Sequence, residues 1–161
     1  MKLGLISDSH DHIAHVEKAA EIFHQRQVEM VLHAGDMCSP PAIKPLKGLK
    51  LAGVFGNNDG ETVGLLRLFE KLGGRLEGEF LELDLPEGKL ALYHGTVPPL
   101  RESLMRGGLY RFVVLGHTHR GERLQHGETT ILNPGTAHGF GGPATIMLFD
   151  TLTGVEELIT L

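Results

Sequence analysis

Tryptophan is absent, and cysteine occurs once among 161 residues. The lone Cys38 excludes a disulfide framework within the chain and fits a reducing compartment. A basic excess is missing too: 15 Lys and Arg stand against 20 Asp and Glu, for a net charge of -5. That balance argues against a surface built to grip a nucleic-acid backbone, so no specific nucleic acid is expected. It leaves room for a phosphorylated substrate, because a bound cation can supply the positive field locally. No apolar run approaches the ~20 residues that span a bilayer. Met1–Ile6 enters a strand-like run at once, without the flanks of a signal peptide. The expectation is a soluble cytoplasmic protein with no membrane partner.

Histidine and glycine are plentiful instead, at 10 and 22 residues. Hydrophobic residues make up 41% and charged residues 22%, ordinary values for a globular chain. The length suits one domain, 1–161, with space for a proper core. In the first half strands and helices alternate. Leu3–Ser7, Val28–Asp36 and Leu49–Asp59 read as strands, and Ile13–Gln27 has helical apolar spacing. Glu61–Gly74 reads as a second helix, with Val63, Leu66, Phe69 and Leu72 as its stripe, Asp59 as N-cap and Gly73 as C-cap. The second half is mostly strand. Phe80–Leu85 alternates apolar and acidic residues, Lys89–Gly95 and Arg111–His117 follow, and Arg101–Gly107 is a short helix. Two hairpins close the chain, turning at His126-Gly127 and Thr153-Gly154. The pattern predicts an α/β protein with two sheets, at least one of them mixed.

Polar residues cluster where apolar strands stop. The first strand is followed by Asp8 and His10, the second by Asp36, and the third by Asn57 and Asp59. Later strands deliver His94, then His117 and His119. Ligand sites in open α/β sheets lie at the carboxyl ends of strands, so these distant residues can meet. Buried together without partners they would be costly, and divalent cations remove that cost. With Asp59 read as the helix cap, the seven remaining candidates exceed the needs of one tetrahedral zinc and suit two ions sharing a carboxylate. Mixed nitrogen and oxygen donors favour manganese, iron, cobalt, nickel or zinc over calcium. Two metals ~3.5–4 Å apart are a device for phosphoryl hydrolysis. Other polar residues read more plainly: His33 as packed or supporting, His15, His24 and His126 as surface residues, and Cys38 as a loop thiol.

The segments Asp8–His10 (DSH), Gly35–Asp36 (GD), Gly56–Asp59 (GNND), His94–Gly95 (HG) and Gly116–His119 (GHTH) occur in the order of the calcineurin-like metallophosphoesterases. The small size, the NPGT at Asn133–Thr136 and the hairpin ending resemble the compact YfcE-type phosphodiesterases, a subgroup that includes the retromer coat subunit. The resemblance implies a four-layer αββα sandwich of two mixed sheets flanked by helices. It implies one metal on Asp8, His10 and His119, another on Asn57, His94 and His117, and Asp36 as the bridge. It implies in-line attack on a small phosphodiester by a hydroxide between the ions, with manganese the expected metal and a dimer or larger homo-oligomer within range. Many members carry histidine where this chain has Asn58, a carboxamide that cannot act as an acid near neutral pH. Diesters with good leaving groups are therefore expected, with Asn58, His12 or His138 contacting substrate. NPGT reads as a turn that closes the site with backbone amides toward the phosphate. The rival reading is a protein-binding scaffold on the same fold, as in the retromer subunit.

Overall fold

A computed structural model describes all 161 residues. Apolar strands pair first with their sequence neighbours. β1 (Lys2–Ile6), β2 (Met30–His33), β3 (Leu51–Val54) and β4 (Arg75–Glu77) run parallel. Antiparallel β10 (Thr145–Asp150) pairs with β1, and β11 (Glu156–Thr160) with β10, completing one six-stranded sheet. In the second sheet β6 (Gly88–Tyr93), β7 (Phe112–Val114) and β9 (Thr129–Pro134) are parallel. Antiparallel β5 (Phe80–Leu85) and β8 (Gly121–His126) form its edges. Both sheets are mixed.

Three apolar clusters separate four layers. Leu3, Leu5 and Leu32 of the first sheet interleave with Leu90, Leu92, Phe112 and Leu132 of the second. The outer face of the first sheet packs on α1 (Ile13–Gln25), α2 (Thr62–Lys71) and a 3₁₀ segment, Pro40–Leu46, through Phe23, Phe69, Ile43 and Leu46. The outer face of the second sheet meets α3 (Pro98–Arg106) through Val113, Tyr93 and Leu104. This is the αββα order. Each fully buried Leu or Phe is worth about 1.5–3 kcal/mol, so the double-sheet interface holds the strand ends in register. No helix is long and apolar enough to cross a membrane.

Local departures have physical causes. α2 turns Leu65 and Phe69 inward, while Val63 and Leu66 are 59% and 42% exposed. Apolar residues surround that helix, so periodicity alone does not select the buried face. Its N-cap is Glu61, with no side-chain capping bond, and Asp59 is engaged elsewhere. α3 begins at Pro98 rather than Arg101, because proline suits the first helical turn.

Candidate metal centre

The carboxyl ends of β1, β2, β3, β6 and β7 lie at one edge of the sandwich, and the loops that leave them bring the two sheets into contact. Gly35 (φ +95°) makes that approach: a Cβ there would sit 2.8 Å from His94 Nδ1 and 2.7 Å from the Gly56 nitrogen. Five of the seven proposed ligands hold a left-handed backbone: Asp8 (φ 52°), His10 (40°), Asp36 (56°), His117 (68°) and His119 (59°). Each such non-glycine residue costs on the order of 1–3 kcal/mol, and strain of this kind gathers where side chains must be aimed.

Asp8 is fully buried. Its Oδ2 accepts hydrogen bonds from Ser7 Oγ (2.5 Å) and the His117 amide (3.0 Å). Its Oδ1 accepts none and lies 3.2 Å from His119 Nε2. Burial raises the Asp8 pKa, against the Ser7 bond and the nearby His94 and His119. His10 Nε2 is likewise buried without a partner, 3.6 Å from Asp36 Oδ2. Asp36 Oδ1 accepts from the Asn58 amide nitrogen (2.8 Å), and Oδ2 from Asn58 Nδ2 (2.8 Å). Burial opposes its ionisation, yet bonds from His94 and Asn58 win and hold the carboxyl below its usual range.

His94 fixes its own tautomer. Its Nδ1 lies 2.7 Å from the Ala34 carbonyl, which can only accept, so Nδ1 carries the proton. Nε2 then faces two more acceptors, Asn57 Oδ1 at 3.2 Å and Asp36 Oδ2 at 3.4 Å. A proton or a cation placed between these atoms would satisfy all three. Burial disfavours the charged ring, but Asp36 and Asp8 outweigh it and raise its pKa.

The donor set fits metal ions. Ligand atoms of Asp8, His10 and His119 lie within 4.8 Å of one another, as do those of Asp8, Asp36 and His94. Asn57 joins through His94. His117 stands at the rim, exposed, its ring centroid 5.1 Å from that of His94.

Neighbouring residues take clearer roles than their sequence positions suggest. Asn58 clasps Asp36 with backbone and side chain. Asp59 accepts four amides: Met37 (2.7 Å), Cys38 (2.7 Å), Gly56 (2.7 Å) and Asp36 (3.0 Å). It thus ties the β2 loop to the β3 loop instead of capping α2. His12 caps α1, accepting from the His15 amide at 3.3 Å. His15 is half-buried rather than a surface residue, stacked on His12 at 3.7 Å and bonded to the Ala137 carbonyl at 2.8 Å. NPGT braces the site, and its Gly135 amide is turned inward. The Gly135 amide bonds Asn133 Oδ1, and those of Ala137 and His138, just beyond, bond the Ser7 and Asp8 carbonyls. Burial, with Asp11 and Asp59 nearby, pushes the Cys38 thiol up to about 11, so it is no ready nucleophile.

His33 supports Asp8–His10 from below. Its Nδ1 accepts from the Gly35 amide (3.3 Å), leaving Nε2 to donate to Ser9 Oγ at 3.1 Å. Burial, reinforced by His94, depresses its pKa to about 3 from the ordinary 6.5. The unfolded chain therefore takes up a proton that the folded one refuses. Stability from this group is full above pH ~6.5 and is lost as pH falls toward 3. The expected loss at pH 5 is about 2 kcal/mol. Urea midpoints at pH 7 and 5 should differ less in His33→Gln than in the parent; equal differences would show that His33 does not carry this dependence.

Two sheets closing on a carboxylate–imidazole cluster at their strand ends define a metallophosphoesterase-type architecture. Residues 1–154 match the calcineurin-like phosphoesterase superfamily domain, and the chain belongs to that family. It is 34% identical over 155 residues to "Phosphodiesterase MJ0936" of Methanocaldococcus jannaschii, spanning 94% of this chain and 93% of that protein. A solved archaeal phosphodiesterase superposes with a TM-score of 0.94 at 32% identity, covering all of both chains. The E. coli phosphoesterase YfcE (TM-score 0.71, 22% identity, 99% of each chain) shares the fold. So does Vacuolar Protein Sorting 29 of Cryptosporidium parvum (0.70, 21%, 99% of this chain and 96% of that one).

Proposed function

We propose that this protein is a phosphodiesterase dependent on two divalent ions. The carrying observation is the pair of orphaned buried atoms, Asp8 Oδ1 and His10 Nε2, inside a cluster gathered from separate strand ends. Asp8, His10 and His119 would hold one ion and Asn57, His94 and His117 the other, with Asp36 as the shared ligand. Manganese suits this nitrogen–oxygen donor set. When bound, such ions polarise the phosphate and lower the pKa of the attacking water.

The chain's own groups do the rest. The Ala34 carbonyl fixes the His94 tautomer, and Asn58 and Asp59 fix Asp36 and its loop. Asn58 has no proton to give a leaving group near neutral pH, and its amide already bonds Asp36. Small phosphodiesters with good leaving groups follow as substrates, because general acid help is worth roughly 10²–10⁴-fold where leaving groups are poor.

The test is hydrolysis of bis-p-nitrophenyl phosphate by protein stripped with a chelator and resupplied with manganese. Turnover should vanish and return, with two ions bound per chain by elemental analysis. No turnover at full occupancy would favour the scaffold reading. That reading draws on an apolar groove of about 510 Å³ lined by Phe80, Tyr93, Leu100, Leu104, Leu109 and Tyr110.

A further inference from the structure

One large apolar side chain beside the cluster has no place in the packing. Phe140 is 52% exposed, yet its ring centroid lies 5.5 Å from His10 and 6.4 Å from His119, the latter nearly parallel at 16°. One face is covered: His138 stacks on it at 3.7 Å and 13°. His138 is itself anchored, because its amide bonds the Asp8 carbonyl at 3.0 Å, and His12 meets its ring edge at 5.3 Å. The platform is therefore tied to the same residue that heads the cluster. Gly139 (φ +92°) and Gly141 (φ +72°) flank Phe140 and give its backbone freedom to adjust. The stack on His138 leaves half of the ring's surface exposed beside a polar site, where it can meet a planar ligand.

We propose that Phe140, backed by His138, is a stacking platform for a planar ring on one ester arm of the substrate. The site then takes phosphodiesters of aryl alcohols or nucleosides over purely alkyl ones. This rests on the phosphodiesterase reading and deepens it by naming the substrate class. A ring held there keeps its phosphate beside His10 and His119, so stacking also orients the ester. Stacking on one aromatic side chain is worth roughly tenfold or more in affinity.

The test compares phenylphosphonate with methylphosphonate, titrated calorimetrically into manganese-loaded protein, with thymidine 5′-monophosphate as the nucleoside arm. Phenylphosphonate should bind about tenfold more tightly than methylphosphonate. Phe140→Ala should erase that advantage without changing methylphosphonate affinity, and Phe140→Trp should keep it. Because the chain has no tryptophan, Phe140→Trp also supplies a lone indole whose fluorescence should be quenched by ring-bearing ligands only. A thymidine 5′-monophosphate affinity that falls with Phe140→Ala would extend the platform to nucleosides; an unchanged one would restrict it to simple aryl esters. Equal binding of both phosphonates, unaffected by Phe140→Ala, overturns the platform while leaving the phosphodiesterase reading intact. Failure of both phosphonates to bind while bis-p-nitrophenyl phosphate turnover persists overturns the platform alone; failure to bind together with no turnover overturns both.

Discussion

Asp36→Asn is expected to lower bis-p-nitrophenyl phosphate turnover by at least about 10³-fold and to leave fewer than two ions per chain. The size follows from how many groups converge on one carboxylate. Oδ2 lies 3.6 Å from His10 Nε2 and 3.4 Å from His94 Nε2, the two halves of the cluster. Both oxygens also accept from Asn58, each at 2.8 Å. A carboxamide cannot satisfy this arrangement. Whichever way it is flipped, its NH₂ points at one of the two Asn58 donors, and the negative charge shared by both halves is gone. Changes outside the ligand shell cost 10–100-fold in metal affinity, and loss of a shared ligand should exceed that range. Metal content by elemental analysis and the rate must be read together. Asp36→Asn protein that binds two ions and keeps a tenth of the activity would show that Asp36 is not the bridge.

Much of this centre is legible in the sequence because its signals are local. An apolar run that stops at Asp, Asn or His marks a strand end: Asp36, Asn57 and His117 each follow a glycine, His94 precedes one, and Asp8 follows Ser7. What is not legible depends on reach or on direction. The left-handed backbone at Asp8, His10, Asp36, His117 and His119 has only a weak residue-type signature: Asp and His are enriched in that region, but most Asp and His residues do not adopt it. Asp59 reads as a cap for the helix beside it, but its acceptors serve amides more than twenty positions upstream. Phe140 sits in a glycine-rich stretch that resembles a plain loop, and only the fold sets it against His10 and His138. The α2 stripe is half legible: Phe69 is buried and Leu72 packs on the core as expected, while packing against the sheet chooses Leu65 over the exposed Val63 and Leu66.

Asp59→Ala is expected to destabilise the fold by about 3–5 kcal/mol, lowering the melting temperature by roughly 10 °C for a domain of this size. One carboxylate answers four amide donors, from Asp36, Met37, Cys38 and Gly56. Each buried donor left unmet costs about 1–3 kcal/mol, and water entering the space recovers part of the sum. Burial, with the Asp36 carboxylate nearby, raises the Asp59 pKa against the bonds from the Gly56, Cys38 and Met37 amides, so the charge is held by amide dipoles alone. Asp59→Asn should fall between the parent and Asp59→Ala. Its one carbonyl oxygen keeps two of the donors, while its NH₂ turns against the other two. The same amides fix the backbone that aims Asp36, so manganese affinity should drop 10–100-fold in either variant. A helix cap makes a different forecast: a loss near 1 kcal/mol and no change in metal binding. Thermal melts of the chelator-treated protein together with manganese titrations separate the two roles. The small loss with unchanged affinity would return Asp59 to the start of α2 and leave the restraint of Asp36 to Asn58 and His94.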